Sequence, residues 1–360
     1  MSRINLLRPQ RGTTLVELMV AMVITMFIVA AAAYVYLGTR ESQGALERSA
    51  VSAETGSFAL EFIGRDIMNA GFYPSTMPPI ATYTPTMGRA SSYPPTQGIP
   101  VLATDWIAPH VIYLTPIFGC EGGKFDPKTA TCAATVADDP DSIVLNYFTS
   151  ESANFGANIG QRHDCTGAKV ENDPSNAIRK LNQGSPIAIS QNNNLPPQQP
   201  LFASNFYGLN ATNMVVDGQA ISTQSLACGG NGNTPFGSTI TATYVPLVAG
   251  VEDMQFTYGV YNTEATRTPD RFYTATEVNA LATKTIDGIA LGPWSRVVAV
   301  RVCLLSRTLG GNTKIADKAG ALRTYVNCSG QTVTQAASDT TLYKRHDQVF
   351  ALRNRLNELY

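Results

Sequence analysis

The stretch that most constrains this 360-residue chain is an apolar segment near its N terminus, Leu18 to Leu37. Its only clearly polar side chain is that of Thr25. At about 1.5 Å rise per residue, an α-helix of this length is roughly 30 Å long, enough to cross the hydrocarbon core of a bilayer. The segment therefore predicts one membrane span with a short leader before it and a large remainder after it.

Charge indicates how this span is oriented. Arg3, Arg8 and Arg11 precede it without any acid, and no dense basic run follows it. Because basic residues stay on the cytoplasmic side, we expect a cytoplasmic N terminus and an external head. A secretory signal peptide is the alternative, but its apolar core usually covers only about 7–15 residues.

The composition of the remainder argues against nucleic acid as a partner. The chain has net charge −1, and removing the three leader arginines leaves −4, whereas phosphate binding needs clustered Lys and Arg. Charged residues make up only 15 %, against about 25 % in an average soluble domain. Gly, Pro and uncharged polar residues replace them, which is typical of loop-rich β proteins.

All cysteines lie beyond the span, and their even number fits an oxidising compartment. None forms a Cys-x-x-Cys pair, which argues against a zinc ribbon or a thioredoxin-like site. Several pairings are open, and we favour neighbours in sequence: Cys120–Cys132, Cys165–Cys228 and Cys303–Cys328.

The run Gly12-Thr13-Thr14-Leu15-Val16-Glu17 resembles the prepilin motif of type IV pilins and type II secretion pseudopilins. The resemblance implies a prepilin peptidase that cuts between Gly12 and Thr13 and leaves the span on the mature chain. Thr13 stands where most family members carry Phe or another apolar residue. We expect cleavage to tolerate Thr13 and leave its N-methylation open.

Glu17 is a carboxylate at the edge of hydrocarbon, which is costly and often functional. The resemblance implies that it pairs with the Thr13 ammonium of a neighbouring subunit and so neutralises both charges in a filament. The alternative is an interfacial carboxylate stabilised by the helix dipole.

The segment after the span predicts the amphipathic half of one long helix, from Thr14 to about Asn69 and roughly 80 Å long. Ala59, Ile63, Ile67 and Ala70 share one face. Phe58 and Phe62 lie beside that face. Each glycine in this half costs about 1 kcal/mol of helix stability relative to Ala. These glycines indicate bending or local melting in a filament, and the alternative is loose packing on a sheet of the head: Gly38, Gly44, Gly56 and Gly64.

The head begins with a proline-rich connector from Tyr73 to Gly98 and then shows strand patterns. We expect strands near Val111–Leu114 and Ile143–Phe148, and weak ones near Ile187 and Met214–Val216. The clearest patterns come later: Met254, Phe256, Tyr258 and Val260 alternate, and Val298, Val300, Val302 and Leu304 share one face.

Four segments are similar to PilW-type minor pilins: DIMNAGFYP, LVAGVEDMQFTYGV, RVVAVRVCLLSRT and the terminal VFALRNR, which the resemblance favours as a last strand. The resemblance implies an α+β, type IV pilin-like fold: a long N-terminal helix packed on an antiparallel, β-rich head with long loops. We expect a leader at 1–12, a membrane and filament half at 13–37, an amphipathic half at 38–72 and a head at 73–360. The family-like core strands fall in 240–308 and 343–360.

No catalytic or metal constellation is evident in the sequence, and we expect neither an enzyme nor a cofactor. His110, His163 and His346 lack metal-ligand spacing and are expected to be surface or strand residues. Asp138-Asp139-Pro140-Asp141 lacks the spacing and Gly of a calcium loop and is expected to be a solvated acidic turn. Gly229 to Gly232 is expected to be a flexible loop beside Cys228.

The resemblance implies a minor pilin that helps initiate type IV pilus assembly at the inner membrane, with a periplasmic head, and then joins the pilus near its tip. Twitching motility and cell adhesion would depend on it. Expected partners are other minor pilins, the major pilin, the prepilin peptidase and a PilY-type tip adhesin. The alternatives are a J-type pseudopilin of type II secretion and a ligand-binding head displayed on a pilin anchor.

The cysteine pairing predicts the outcome of non-reducing peptide mapping. Peptides that contain Cys120 and Cys132 should be linked to each other, and likewise Cys165 with Cys228 and Cys303 with Cys328. A reduced and alkylated sample is the control, and any linkage across these pairs contradicts the prediction.

Overall fold

The computed structural model describes residues 14–72, 115–136, 138–154, 163–170, 198–216, 218–234, 240–262, 268–286, 289–309, 323–336, 339 and 341–356. The helices are α1 (Leu15–Asn69), α2 (Ala275–Asn279) and α3 (Arg353–Leu356), with a 3₁₀ turn at Trp294–Arg296. The strands are β1 (Ile117–Cys120), β2 (Phe125–Asp126), β3 (Thr131–Cys132), β4 (Ser142–Asn154), β5 (Gln198–Val216), β6 (Gln219–Gly230), β7 (Val245–Ala249), β8 (Val251–Val260), β9 (Arg271–Tyr273), β10 (Lys284–Ile286), β11 (Ile289–Leu291), β12 (Val297–Arg307), β13 (Thr324–Val326), β14 (Thr332–Thr334) and β15 (Tyr343–Ala351).

The expected long helix is present as α1, with 55 residues. Thr14 caps its N terminus: its hydroxyl accepts the Glu17 backbone N–H, and the Glu17 carboxylate accepts the Thr14 N–H. Such a capping box satisfies two of the backbone donors that a helix start leaves unpaired. The helix ends before Gly71, whose φ of 75° lies in the left-handed region that glycine adopts without strain.

Among the described residues, the head has two larger antiparallel sheets and three two-stranded ones, β2-β3, β10-β11 and β13-β14. One of the larger sheets has the order β1-β4-β5-β6-β7 and the other the order β15-β12-β8-β9. The chain passes from the first sheet to the second at Gly250, which has a φ of 85° and links β7 to β8. The Gly250 N–H donates to Gln224 of one sheet while its carbonyl accepts from Arg307 of the other. The expected α+β fold, a long N-terminal helix packed on an antiparallel, β-rich head, is confirmed.

One hydrophobic core joins α1 to both sheets. The expected helix face is buried: Ala59, Ile63, Ile67 and Ala70 all have 0 % exposure. Phe62 packs edge-on against Tyr207 of β5, whereas Phe58 is 55 % exposed. The head is therefore fixed to the C-terminal half of α1.

Two helix glycines mark the closest approach between α1 and the head. A Cβ on Gly56 would lie 2.2 Å from the His346 ring, and one on Gly64 would lie 2.1 Å from the Phe350 ring. Both rings belong to β15. Nothing lies within 4 Å of a Cβ on Gly38 or Gly44. The expectation of loose packing is thus wrong for Gly56 and Gly64, which allow a tight contact.

The family-like segment near the end of the chain forms both a strand and a short helix. Residues 343–351 are β15, which pairs with β12, and residues 353–356 are α3. The Asn354 side-chain amide lies 3.2 Å from the Asn69 carbonyl oxygen and 3.4 Å from that of Ala70. Asn354 therefore caps the C terminus of α1.

Several strand predictions need correction or lie outside the described residues. Val111–Leu114 and Ile187 lie outside them. The weak strand near Met214 is the end of β5, which has 19 residues and forms a hairpin with the 12 residues of β6. The polar composition of both strands concealed their length. In β12, Val298 does not share the face of Val300, because a register irregularity between Val297 and Ala299 turns Val297 inward instead.

The structure contains the three disulfide bonds expected from sequence neighbours. Cα–Cα distances are 5.5 Å for Cys120–Cys132, 6.2 Å for Cys165–Cys228 and 5.6 Å for Cys303–Cys328. The second bond crosslinks the 163–170 segment to β6, and the third holds the β13–β14 hairpin against β12. They hold loop segments of the head to its sheets.

Gly64→Ala should destabilise the head, because its methyl group would overlap the Phe350 ring and overpacking costs about 1–3 kcal/mol. Gly44→Ala is the matched control. It adds the same methyl group in open space, and we expect it to be neutral or to stabilise the chain by up to about 1 kcal/mol. Urea unfolding of the detergent-solubilised full chain measures both, and equal effects would contradict the assigned contact.

Candidate functional site

The N-terminal half of α1 projects from the head as a bare apolar rod. The most apolar stretch of 18 residues in α1 has a mean hydropathy of 2.5, and none of these residues is buried. Large apolar side chains along it are half to four-fifths exposed, among them Met26 at 77 % and Tyr34 at 81 %. So much apolar surface is stable only against lipid or other proteins.

Glu17 is the sole acid on this rod from Thr14 to Leu37 and lies at its start. It is exposed, and its carboxylate lies 3.4 Å from the Thr14 backbone nitrogen. Gly12 and Thr13, the expected cleavage and methylation positions, lie outside the described residues. The structure thus places Glu17 within the first helical turn, where an acid also interacts favourably with the helix dipole.

A buried hydroxyl cluster ties α1 to the head. The Ser52 hydroxyl lies 3.0 Å from the Ser306 hydroxyl of β12, which donates to the Ser52 carbonyl at 2.9 Å. His346 of β15 places its Nε2 3.0 Å from the Ser306 hydroxyl. Burial lowers the pKa of His346, which favours the neutral ring. His346 is therefore a strand residue, as expected. It also belongs to the contact surface between α1 and the strands β12 and β15, which we call the joint.

A second polar contact between α1 and the head lies closer to the C-terminal end of this helix. The Asp66 carboxylate accepts hydrogen bonds from the Asn205 amide at 2.6 Å and from the Tyr207 hydroxyl at 2.5 Å. Tyr207 is fully buried, and burial together with the Asp66 charge raises its pKa. Because two charge-assisted bonds converge on Asp66, this contact fixes the rotation of α1 relative to β5.

The acidic run Asp138–Asp141 is only partly the solvated turn expected from sequence. Asp138 and Asp139 are exposed, but Asp141 is 3 % exposed. Its carboxylate accepts the backbone N–H groups of Gly122 and Phe256, both at 2.8 Å. Burial raises the pKa of Asp141 to about 7, and the two hydrogen bonds only partly oppose this rise. Asp141 joins the loop after β1 to β8.

Other positions singled out in the sequence have structural contacts. His163 pairs with Lys169 in an isolated bridge, and His110 lies outside the described residues. Within the described ranges, no group of three or more His, Cys, Asp or Glu residues could hold a metal ion. Gly229 and Gly230 belong to β6, and the Gly232 N–H donates to the buried Asp164 carboxylate, so this segment is not the expected flexible loop.

Sequence reasoning missed the buried charged residues Asp164 and Arg296. The Arg296 guanidinium donates to the carbonyl oxygens of Tyr261 and Ala282 and to the Asn262 side chain. These hydrogen bonds anchor the chain segment that connects β8 to β12. A lone arginine beside a strand carries no sequence signal that separates such a buried position from an exposed one.

The comparisons with known proteins match the two ends of the chain. A family model described as Type IV Pilus-assembly protein W matches residues 213–354, and the prokaryotic N-terminal methylation motif matches residues 7–33. A solved type IV-like pilin from Thermus thermophilus is similar, with 11 % identity over 62 % of this chain and 82 % of that chain. Its TM-score of 0.27 is too low to add support. No curated protein matches significantly.

The methylation motif covers the start of α1, the part of the chain that carries Glu17. The match over residues 213–354 covers the head strands in which the sequence resemblance lay. Residues 213–354 are therefore similar to the PilW family of type IV pilus-assembly proteins, and residues 7–33 match the prokaryotic N-terminal methylation motif.

The raised pKa of Asp141 predicts a pH-dependent stability contribution. Since the native state holds this proton more tightly than the unfolded chain, the stabilisation is complete below about pH 4 and is lost as pH rises toward 7. The stability of the native chain relative to Asp141→Asn, which does not titrate, should therefore fall over that interval. The upper limit of this fall in the free energy of unfolding is about 1.4 kcal/mol for each unit by which the native pKa exceeds the unfolded pKa.

Urea unfolding of both chains at several pH values between about 4 and 7 measures this difference. The other titrating groups are present in both chains, including Glu121 and Asp253, whose charges also raise the pKa of Asp141. A constant difference would contradict the assignment of the raised pKa to Asp141.

Proposed function

We propose that this protein helps initiate type IV pilus assembly at the inner membrane and is then incorporated into the pilus near its tip, in support of twitching motility and adhesion. The observation that carries the proposal is the bare apolar rod of α1 with Glu17 in its first turn, rigidly joined to a folded head. A rod of this kind is stable in a bilayer and equally in a bundle of similar helices.

Maturation is the first step of the proposal. Residues 1–12 form the cytoplasmic leader, and the prepilin peptidase cuts between Gly12 and Thr13. Residues 13–37 then hold the chain in the inner membrane, residues 38–72 carry the joint, and the head at 73–360 lies in the periplasm. Three arginines in the leader and none densely placed after the span support this orientation.

Charge neutralisation is the second step. When helices leave lipid for the filament, the Glu17 carboxylate of one subunit meets the Thr13 ammonium of the next. Each charge alone is costly in an apolar surrounding, and together they compensate. Within one subunit the Glu17 carboxylate accepts the Thr14 backbone N–H at 3.4 Å, so it lies at the start of α1, where the proposal needs it.

The partners follow from the two halves of the molecule. The rod contacts the helices of other minor pilins and of the major pilin, and the head presents surfaces for a PilY-type tip adhesin. The head's three disulfides suit exposure outside the cell.

Glu17→Ala should leave the protein in the membrane and yet exclude it from sheared pili. Loss of about 1.4 kcal/mol of assembly free energy corresponds to a tenfold drop, which we take as the minimum. Glu54→Ala, at an exposed acid in the extramembrane half of α1, is the matched control. Immunoblots of the membrane and sheared fractions measure both variants, and unchanged incorporation of Glu17→Ala would overturn the pairing.

Deletion of the gene distinguishes a pilus role from a role as a J-type secretion pseudopilin. We expect fewer surface pili and reduced twitching with normal type II secretion. Lost secretion with normal pili would assign the protein to the secretion system instead.

A further inference from the structure

The β5–β6 hairpin extends beyond the sheet that carries it. Among the described residues, its pairing with β4 ends at Tyr207 and its pairing with β7 ends at Ser225. A side-chain anchor lies just beyond, where the Glu252 carboxylate accepts the Thr223 hydroxyl at 2.6 Å and the Gln224 backbone N–H at 3.2 Å. Past this anchor the two strands continue for four more cross-strand pairs. We call these residues, 213–216 and 219–222, the arm.

The end of the arm is apolar on both faces. Val215 is 72 % exposed and pairs directly with Ala220, which is also exposed. On the opposite face Met214 pairs with Ile221, and both side chains are only half-buried. A two-stranded hairpin is marginally stable by itself in water, and exposed apolar side chains at its end indicate a contact. A protein surface would cover one face of this ribbon, whereas lipid surrounds both.

Two contacts with α1 show in which direction the arm extends. At the level of Asp66, the Tyr207 hydroxyl of β5 donates to the Asp66 carboxylate at 2.5 Å. This contact lies near the C-terminal end of α1, at the end of the head that is farthest from the apolar rod.

The second contact lies fourteen residues closer to the rod, at Ser52. Ser52 is hydrogen-bonded to Ser306, and the N–H of the next residue, Arg307, donates to the Gly250 carbonyl at 2.9 Å. The Gly250 N–H donates in turn to the Gln224 carbonyl at 2.9 Å. The β5–β6 hairpin therefore follows α1 toward the rod, and the arm continues in that direction.

The length of the arm brings its end to the surface of the bilayer. Gln224 pairs with Ala211, and the strand rises about 17 Å from Ala211 to Val216. From Ser52 back to Arg40, α1 rises about 18 Å. Arg40 follows the rod directly, and its guanidinium lies 5.7 Å from the centre of the Tyr36 ring. Tyrosine and arginine at the end of a span are typical of the membrane–water interface.

The chemistry of the arm limits how deep it can lie. Its backbone edges are not covered by neighbouring strands among the described residues, and such edges do not occur in the hydrocarbon core. Asp217 is the only charged residue between Leu209 and Ser225, and a charge is costly in hydrocarbon. The interfacial layer, about 5–10 Å deep, satisfies both limits, because it offers water to polar groups and acyl chains to apolar ones.

We propose that the arm is a second membrane contact, and that Met214, Val215, Ala220 and Ile221 insert into the interfacial layer on the periplasmic side of the bilayer that α1 crosses. This rests on the membrane span of the proposed function and adds a contact between the head and lipid. The arm and α1 together hold the head in one orientation on the membrane, and transfer into the filament must release both.

Fluorescence quenching in vesicles tests this contact with the full chain. The detergent-purified protein is reconstituted into vesicles of phosphatidylethanolamine and phosphatidylglycerol, and flotation confirms its insertion. An environment-sensitive nitrobenzoxadiazole label is attached to Ala220→Cys, since the native cysteines within the described residues are all in disulfides. A fraction of the lipid carries a nitroxide quencher on its headgroup.

The matched control is Ala280→Cys, which replaces another exposed alanine, at the end of α2. α2 follows β9, which pairs with the part of β8 that lies opposite Val300 and, one strand further, Phe350. The Phe350 ring packs on Gly64, and Gly64 lies about 40 Å of helix beyond Leu37. A label at position 280 is therefore remote from the bilayer.

We expect the label at position 220 to lose most of its fluorescence to the headgroup quencher, with emission shifted to shorter wavelength relative to detergent solution. The label at position 280 should show neither change. Equal quenching at both positions, or none at 220, would overturn the proposal. Quenching at 220 that disappears as the protein is diluted in lipid would also overturn it, because a contact between protein copies would then occupy the arm.

A charge at the end of the arm tests whether its apolar side chains hold it there. Val215→Asp should reduce the quenching of the label at position 220 to the level seen at position 280, since a carboxylate opposes insertion. Val349→Asp is the matched control: Val349 is 50 % exposed, also on a strand, and adjacent to Phe350. Equal effects of the two substitutions would overturn the assigned contact.

The arm contact and the proposed function fail in different ways. A chain that does not float with the vesicles overturns the membrane span and the arm contact together, whereas a chain that floats without quenching at position 220 overturns the arm contact alone. If gene deletion leaves pilus number and twitching unchanged, the proposed function fails, and quenching at position 220 still decides the arm contact.

Discussion

The close contact between α1 and the last strand, β15, is the constraint on which the rest of the structure depends. Gly56 and Gly64 leave no room for even one more carbon against the His346 and Phe350 rings. Ser52 and Ser306 fill the remaining space with a buried hydrogen bond. Since α1, β12 and β15 meet there, this joint turns a membrane anchor and a β-rich head into one rigid body.

The fold was predictable where the chain repeats a simple pattern. The apolar run, the absence of proline from Gly38 to Ala70 and the buried face at Ala59, Ile63 and Ile67 all identified α1. The alternation from Met254 to Val260 identified β8. These features are local, and burial on one side of a helix or sheet imposes them directly on the sequence.

The features that were not predictable depend on long-range contacts. The base of the β5–β6 hairpin is buried although it contains polar residues such as Ser204, Asn205 and Ser225, and its far end is largely exposed. Neither part has the alternation of apolar and polar residues by which a strand is recognised in a sequence. Gly64 looked like a helix weakness, and only the position of Phe350 shows that it permits close packing. Asp141 looked solvated because its two backbone donors, at Gly122 and Phe256, are distant in sequence. Of the candidate site, Glu17 was identified by its register, whereas its capping of Thr14 required coordinates.

The Asn354 cap on α1 has a consequence for the order of biogenesis. The carbonyl oxygens that end the first helix receive their side-chain donor from residues translocated almost three hundred positions later. β15, which supplies the rings at the joint, arrives in the same late stretch. A chain that lacks these last residues therefore lacks both the cap on α1 and the rings that α1 packs against. The fixed orientation of α1 on the head is in this way a property of the complete chain alone.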